Sequence, residues 1–422
     1  MHIFKFGGAS VKNAENIKNV LQIIELHKQE QLLIIVSAIG QTTNKLEELL
    51  NSFFYRQGTH LQLFDEIKQF HFQVLDELFE DKNHPIFDDV LNTFVEIDWI
   101  IEEDPQDPYD YLYDQIVSIG EMVSTKILSA YFETCGLPTK WIDVRNYIHT
   151  DNTYRDARVD WEKTEIAIQR DIPAMIQSSI PITQGFIGGT SENFTTTLGR
   201  EGSDYTAAIF AACLNARALT IWKDVPGILN ADPKWFSSTE LIPELSYIDA
   251  IELSYYGANV IHPKTIKPLE NKEIPLYVRS FINVSGSGTR IHKTTESLSV
   301  PSFIFKVNQA LISILPNDFS FIVEDNLSHI FNAFHKHKVK INMMHNSAVS
   351  FSVSVDNHED QVTALIEELR KDFSVSYLPN LELVTIRYYN QETIDRVLVN
   401  KEVILEVKDL YTCQMLIRDK AS

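Results

Sequence analysis

A chain of 422 residues with a hydrophobic share of 44% is too long for one ordinary domain and apolar enough to build two or three cores. Its formal charge of −21 argues against nucleic acid or anionic membrane as the main partner, so any anionic ligand must be met by positive charge focused locally. Cys135, Cys213 and Cys413 are far apart and show no C-x-x-C spacing, which speaks against a disulfide framework or a zinc site and for a reducing cytoplasm. The longest apolar run, residues 32–39, is too short to span a bilayer, and the N-terminus has no basic region followed by an apolar stretch.

Residues 2–6 read as a short strand that runs into Gly7-Gly8 and then Ser10. A strand ending in paired glycines before a helix brings backbone N–H groups up to a phosphate, and Lys5 sits beside that cradle. Ile17, Val20, Leu21 and Ile24 recur at helical spacing, with Asn13 or Ser10 available as N-cap. The run KFGGAS is neither a Walker A loop nor Gly-x-Gly-x-x-Gly, and by itself it also fits a plain turn.

Short apolar runs at residues 32–38, 140–144, 180–186, 219–222 and 276–279 read as buried strands separated by helical pattern, the signature of an α/β layer structure with a largely parallel sheet. Ligands bind such sheets at the carboxyl ends of strands. Residues 46–103 are helical in pattern, with Leu63, Phe64, Ile67, Phe70, Val74, Leu75 and Leu78 as a core stripe; residues 102–110, acidic and broken by Pro105 and Pro108, form a loop. Residues 290–302 lose periodicity and mark a linker. A β, α, β, β, α pattern follows, at 311–316, 327–338, 339–342, 349–355 and 359–370, and then a shorter copy at 381–388, 392–398, 403–407 and 413–417. The tail reads as a tandem of small α+β units, the second abbreviated.

Several loops carry chemistry. In TTTLGREGSDYTAA, residues 195–208, Gly199 and Gly202 bracket Arg200, whose planar fork suits a carboxylate or phosphate as well as a surface ion pair. Ser203 and Asp204 open the helix that follows. Lys223 and Asp224 stand just after a strand, ahead of a Pro-Gly turn and Asp232-Pro233-Lys234. Glu121 follows Gly120 at a helix start, where a carboxylate gains from the helix dipole.

The order and wording of these stretches resemble the aspartate kinases of the amino acid kinase superfamily. The resemblance is carried by KFGGAS at 5–10, Ser37 to Thr43-Asn44, S-x-G-E at 118–121, the tryptophan-to-aspartate loop at 141–151, QGFIG at 184–188, TTTLGREGSDYTA at 195–207, DVPGI at 224–228 and GANVIHP at 257–263. It implies a three-layer α/β/α kinase fold over residues 1–290, a linker at 291–302 and a ferredoxin-like ACT regulatory tandem at 303–422. About 120 residues after the linker are too few for a fused homoserine dehydrogenase, so a monofunctional enzyme is expected.

The same resemblance implies transfer of the γ-phosphoryl of MgATP to the β-carboxylate of L-aspartate, the first step towards lysine, threonine and methionine. It implies Lys5 and Asp204 as catalytic residues, Asp204 orienting Lys5 rather than abstracting a proton. Arg200 would take the α-carboxylate and Glu121 the α-ammonium of aspartate, with Ser37, Thr43, Phe186 and Ser203 lining the pocket. ATP would meet Lys5, Gly7, Gly8, Ser10, Lys223, Asp224, Leu229, Lys234 and Asn259, with no protein-held metal beyond the nucleotide's Mg2+.

Three departures from the family pattern stand out. Asn259 replaces a lysine, whose charge Lys223 or Lys264 would have to supply. Glu201 replaces a glycine, so its carboxylate must point away from phosphate, and Leu229 and Lys234 replace an aromatic and an arginine. An effector, lysine or threonine, would lie near Asn317, Phe319, Asn342 and Ser347 between paired ACT domains of a homodimer. Kinase chemistry on another small acid, or a non-catalytic amino-acid sensor with a decayed kinase half, are the competing readings.

Overall fold

The computed structural model describes residues 1–236, 238–258, 261–294, 300–318 and 320–420. They form two compact units. The first comprises residues 1–228, 241–251 and 261–296, and the second comprises 229–240, 252–260 and 297–422.

The first unit opens with β1 (His2–Phe6), a 3-10 turn (Gly8–Val11), α1 (Ala14–Leu26) and β2 (Leu32–Val36). The helices α2 (Thr42–Phe54), α3 (His60–Leu78), α4 (Ile86–Ile101), α5 (Tyr109–Val117) and α6 (Ile119–Thr134) follow. Next come β3 (Thr139–Trp141), α7 (Trp161–Met175), β4 (Ile180–Gln184) and the hairpin β5 (Ile187–Gly189) with β6 (Thr195–Thr197). The unit is completed by α8 (Gly202–Cys213), β7 (Ala218–Lys223), β8 (Glu244–Ser246), the first residues of α9 (Tyr247–Tyr256), α10 (Pro263–Asn271), β9 (Leu276–Ser280) and β10 (Thr289–His292).

Its main sheet has the order β3-β4-β2-β1-β7-β9-β10-β8, parallel except where β10 meets β9. The expected α/β architecture is therefore present. Every residue of β2 and β4 is buried, as a parallel strand covered on both faces requires. The strand order reverses at β1, which has β2 on one side and β7 on the other, so the residues after β1 lie at a topological switch point. Asn13 rather than Ser10 caps α1, accepting from Asn16 N at 2.9 Å.

The helix α8 is buried along almost its whole length, and Ala207, Ala208, Ala211 and Ala212 among its buried residues are small. Gly185 marks its point of close approach. A Cβ there would lie 2.5 Å from Ser203 Cβ and 2.7 Å from Ser203 Cα.

The second unit is built on β11 (Ser302–Pro316), α11 (Glu324–Lys336), β12 (Ile341–Asn346), β13 (Phe351–Asp356), α12 (Glu359–Leu369), β14 (Phe373–Arg387), α13 (Gln391–Val397), β15 (Lys401–Lys408) and β16 (Thr412–Asp419). One antiparallel sheet, β12-β13-β11-β14-β16-β15, holds both copies of the α+β pattern. Each long strand serves both. The second half of β11 pairs with the first half of β14 in one copy, while Ser302–Lys306 pairs with residues 383–387 in the other, across register shifts at Lys306, Gln309 and Leu311. The tandem is thus not two consecutive blocks. The abbreviated copy obtains its fourth strand from the chain that precedes the first copy, and both acquire ferredoxin-like strand order.

The division into units does not follow a single cut along the chain. Residues 229–240 and 252–260 fall in the second unit, where Phe236 packs on Phe303 and Phe305 and Glu252 pairs with the buried Arg387. Residues 291–292 of the expected linker lie in β10.

Gly185→Ala is expected to destabilise the protein by about 1–3 kcal/mol, because the new methyl meets Ser203 Cα and Cβ, which move only with the helix, rather than the far end of a flexible side chain. Equilibrium urea denaturation reads this, and an unchanged midpoint would show that β4 and α8 have room to part.

Candidate active site

The site begins with an acid and a base removed from water. Lys5, opposite Ile35 and Ile221 in the sheet, is buried, and its Nζ lies 2.6 Å from Oδ1 of Asp204 in the first turn of α8. Burial alone would push the Asp204 carboxyl up, but Lys5 and Lys223 outweigh it and hold the group below the ordinary carboxylate value. Lys223 Nζ stands 3.9 Å from Asp204 Oδ2. The helix N-terminus adds to the same preference for negative charge.

Backbone closes around this pair. A Cβ on Gly7 would sit 3.3 Å from Lys5 Nζ, and one on Gly8 would come within 2.7 Å of the Gly40 carbonyl oxygen. The turns after β1 and β2 therefore lie against each other, joined by Gly40 N donating to Gly8 O at 3.2 Å. The Ser10 hydroxyl donates to the Trp222 carbonyl at 3.0 Å and fastens the first turn to the end of β7.

Glu121, in the first turn of α6, accepts from Ala38 N at 3.3 Å through Oε1. Its Oε2 is buried and, among the described residues, has no hydrogen-bond partner. Desolvation pushes the carboxyl up to about 8, against the lowering effect of Ala38 N–H and Lys5. Ser124 Oγ donates to Ser37 O at 2.7 Å, so α6 also fixes the residue that leads into the Gly40 turn. Ser37 and Thr43 are both half-buried.

A further acid supports the loop that follows β6. Asp114 is fully buried and accepts from Thr197 N at 2.8 Å, Thr197 Oγ1 at 2.7 Å and Arg155 N at 3.1 Å. Desolvation outweighs these bonds and raises its carboxyl to about 6. Sequence reasoning missed Asp114, although an aspartate flanked by Leu112, Ile116 and Val117 on one helix is a signal of a buried, satisfied acid.

The arginine loop connects β6 to α8. Phe186 holds a left-handed φ of +73°, with Phe186 N donating to Thr206 Oγ1 at 3.0 Å and its carbonyl accepting from Leu198 N at 2.8 Å. Its ring occupies the space beside Gly202, where a Cβ would approach to 2.7 Å. Ser203 is buried next to Asp204, whereas Arg200 is exposed and, among the described residues, makes no hydrogen bond or ion pair. Glu201 turns its carboxylate onto His262 N at 2.8 Å.

The structure brings Lys5, Gly7, Gly8, Asp204 and Lys223 together. Lys264 is instead paired with Asp156, so of the two lysines weighed as replacement charges Lys223 is the one beside Asp204. Asp224 is exposed, while Leu229 and Lys234 belong to the second unit; Asn259 and Phe319 lie outside the described residues.

In the second unit, Ile322 N donates to Ala348 O at 3.0 Å, which draws the segment after Asn317 to the turn at Ser347. Asn342 does not share that turn. Its amide accepts from Lys306 Nζ at 2.7 Å and donates to Gln309 Oε1 at 2.9 Å and Asp356 Oδ1 at 3.0 Å, a buried network with its polar atoms already engaged.

Chemically, the first unit offers two ammonium groups and a glycine turn for an anion, and an unpartnered buried carboxylate oxygen for a cation. Among the described residues no group of three His, Cys, Asp or Glu side chains is placed to hold a metal, and no helix is long and apolar enough to cross a membrane.

Residues 1–280 match the family model described as the amino acid kinase family. An aspartokinase of Chlamydia trachomatis is 33% identical over 320 residues, 73% of this chain and 69% of the relative. Bifunctional aspartokinase/homoserine dehydrogenase 2 of Arabidopsis thaliana is 31% identical over 386 residues, 88% of this chain; the chain spans 42% of that longer relative. Among solved structures, Escherichia coli aspartokinase III in complex with lysine and aspartate aligns with a TM-score of 0.82 at 26% identity, covering 99% of this chain and 95% of that one. The same protein with aspartate and ADP gives 0.82 at 25% identity, covering 99% and 96%.

The raised Glu121 carboxyl has a consequence for stability. The folded state holds this proton up to about pH 8 and the unfolded chain only to about 4.5, so the contribution is fully present below 4.5 and is lost as pH rises through 8. Glu121→Gln keeps an acceptor for Ala38 N and removes the titration. Its stability relative to the parent should rise between pH 5 and pH 8 by on the order of 1–3 kcal/mol in urea denaturation; a pH-independent difference would show that Glu121 is solvated in the folded state.

Proposed function

We propose, on the premise that the chain belongs to the amino acid kinase family and within it to the aspartokinases, that it transfers the γ-phosphoryl group of MgATP to the β-carboxylate of L-aspartate, giving 4-phospho-L-aspartate and ADP. The observation that carries this reading is the buried Lys5–Asp204 pair beside the Gly7-Gly8 turn, with Lys223 within 3.9 Å of the same carboxylate.

A carboxylate nucleophile is ionised at neutral pH and needs no general base. The barrier is electrostatic, because two anions must meet, and it is lowered by fixed positive charge and by alignment. Lys5 then neutralises charge on the transferred phosphoryl, with Lys223 and the N–H groups of the glycine turn assisting. Asp204 holds the Lys5 ammonium in place and takes no proton from the nucleophile. Glu121, protonated in the empty site, gives its proton to solvent as the α-ammonium of aspartate arrives at its unpartnered Oε2, because that charge favours the carboxylate; Arg200 receives the α-carboxylate. Ser37, Thr43, Phe186 and Ser203 line that pocket, and Ser10 and Asp224 belong to the nucleotide site of the same unit.

The residues fit Mg2+ carried on the nucleotide, since Mg2+ is commonly held by phosphate oxygens with one or two carboxylates. When bound, it supplies charge neutralisation on the phosphates. The regulatory sheet is assigned to a homodimer that responds to lysine or threonine near Asn317 and Ser347. The E. coli structure that contains lysine and aspartate supports the lysine arm, and three free cysteines fit a cytoplasmic setting.

Trapping of acyl phosphate as hydroxamate tests the reaction. With MgATP, L-aspartate should give product while L-glutamate and N-acetylglutamate do not, and Lys5→Ala should lower the aspartate rate on the order of a hundredfold or more. Absence of product with every acid, in protein that still binds lysine or threonine, would replace the enzyme with a sensor.

A further inference from the structure

Glu201 is unusual in both backbone and side chain. Its φ of +55° lies in the left-handed region, which an L side chain rarely adopts and glycine adopts freely. A side chain kept there calls for a compensating contact, and one is present: Oε2 accepts from His262 N at 2.8 Å. His262 is the N-cap of α10, so the bond joins a carboxylate to an N–H at the positive end of a helix. That helix is firmly seated, with Thr265, Ile266 and Leu269 fully buried.

On the other side of Arg200 a second contact leads to the same helix. Gly199, with φ of +76°, lies where a Cβ would meet Asp156 Oδ1 at 2.6 Å, and Asp156 pairs with Lys264 in the first turn of α10. The loop is therefore bonded to α10 through Glu201 and packs at Gly199 against Asp156, the partner of Lys264, while Arg200 between them is exposed and unpaired among the described residues.

We infer that Glu201 is a positioning residue: by pinning the arginine loop to the N-terminus of α10 it fixes the direction in which Arg200 meets the carboxylate of the acceptor substrate. This rests on the aspartate kinase reading. A loop released from the pin must be ordered when substrate binds, so the loss falls on substrate affinity rather than on the chemical step.

The test is steady-state kinetics on full-length Glu201→Gly and Glu201→Gln, with amide hydrogen exchange on the same proteins. Glu201→Gly should raise the KM for aspartate about 5–20-fold, leaving kcat and the KM for ATP within about twofold. Its thermal midpoint should stay at or above that of the parent, because the strained side chain is gone; affinity lost without stability is a signature that a merely structural role does not produce. Glu201→Gln, whose amide oxygen still accepts, should retain most of the parent's affinity. An aspartate KM for Glu201→Gly within twofold of the parent, or equal losses in the two variants, overturns the inference. If the parent shows no aspartate-dependent turnover, the kinase reading fails, and exchange at residues 199–202 and His262 still decides the pin: faster in Glu201→Gly supports it, unchanged refutes it.

Discussion

Two opposite charges taken out of water between β1 and α8 set the terms for the rest of the molecule. Burying Lys5 or Asp204 alone would cost several kcal/mol, and the pair offsets this only while the two groups stay in contact. That contact requires α8 to bring its first turn down onto the sheet, which its small buried alanines and the bare Gly185 permit. It also requires the chain after β1 to turn away without covering the ammonium, which Gly7 and Gly8 permit. Close packing and the placement of charge are here one requirement.

Much of this was legible in the sequence because it depends on residue type at short range. The apolar runs at β2, β4 and β7 read as buried strands, and the paired glycines after β1 read as a turn. What was not legible depends on partners distant along the chain. Asp114 acts on Thr197, 83 residues away, and nothing local to the helix α5 announces that contact. Glu201 looked like a liability beside phosphate until His262, 61 residues on, was seen to take its carboxylate. Asn342 is engaged by Lys306, Gln309 and Asp356, from strands that periodicity alone could not bring into register.

The antiparallel sheet of the second unit illustrates the same limit. Reading along the chain, the second α+β copy is short of a strand. In space the deficit vanishes, because the first half of β11 pairs with the second half of β14. Sharing two long strands makes the halves one continuous ladder, so a change of register in one must be absorbed at the shifts around Lys306 and Gln309 or passed to the other. Arg387, near the end of β14, spends its buried guanidinium on Glu252 and Thr412 and ties Glu252 to this sheet.

The central claim is that Asp204 serves the site by holding Lys5 in place and not by moving a proton. The most direct measurement is the kcat of Asp204→Asn across pH 6–9, on protein shown to be folded. The account predicts a fall on the order of a hundredfold, with the residual rate and the parental rate both flat across that range. A rate within threefold of the parent, or a parental profile that rises with a single ionisation which the variant lacks, would contradict it.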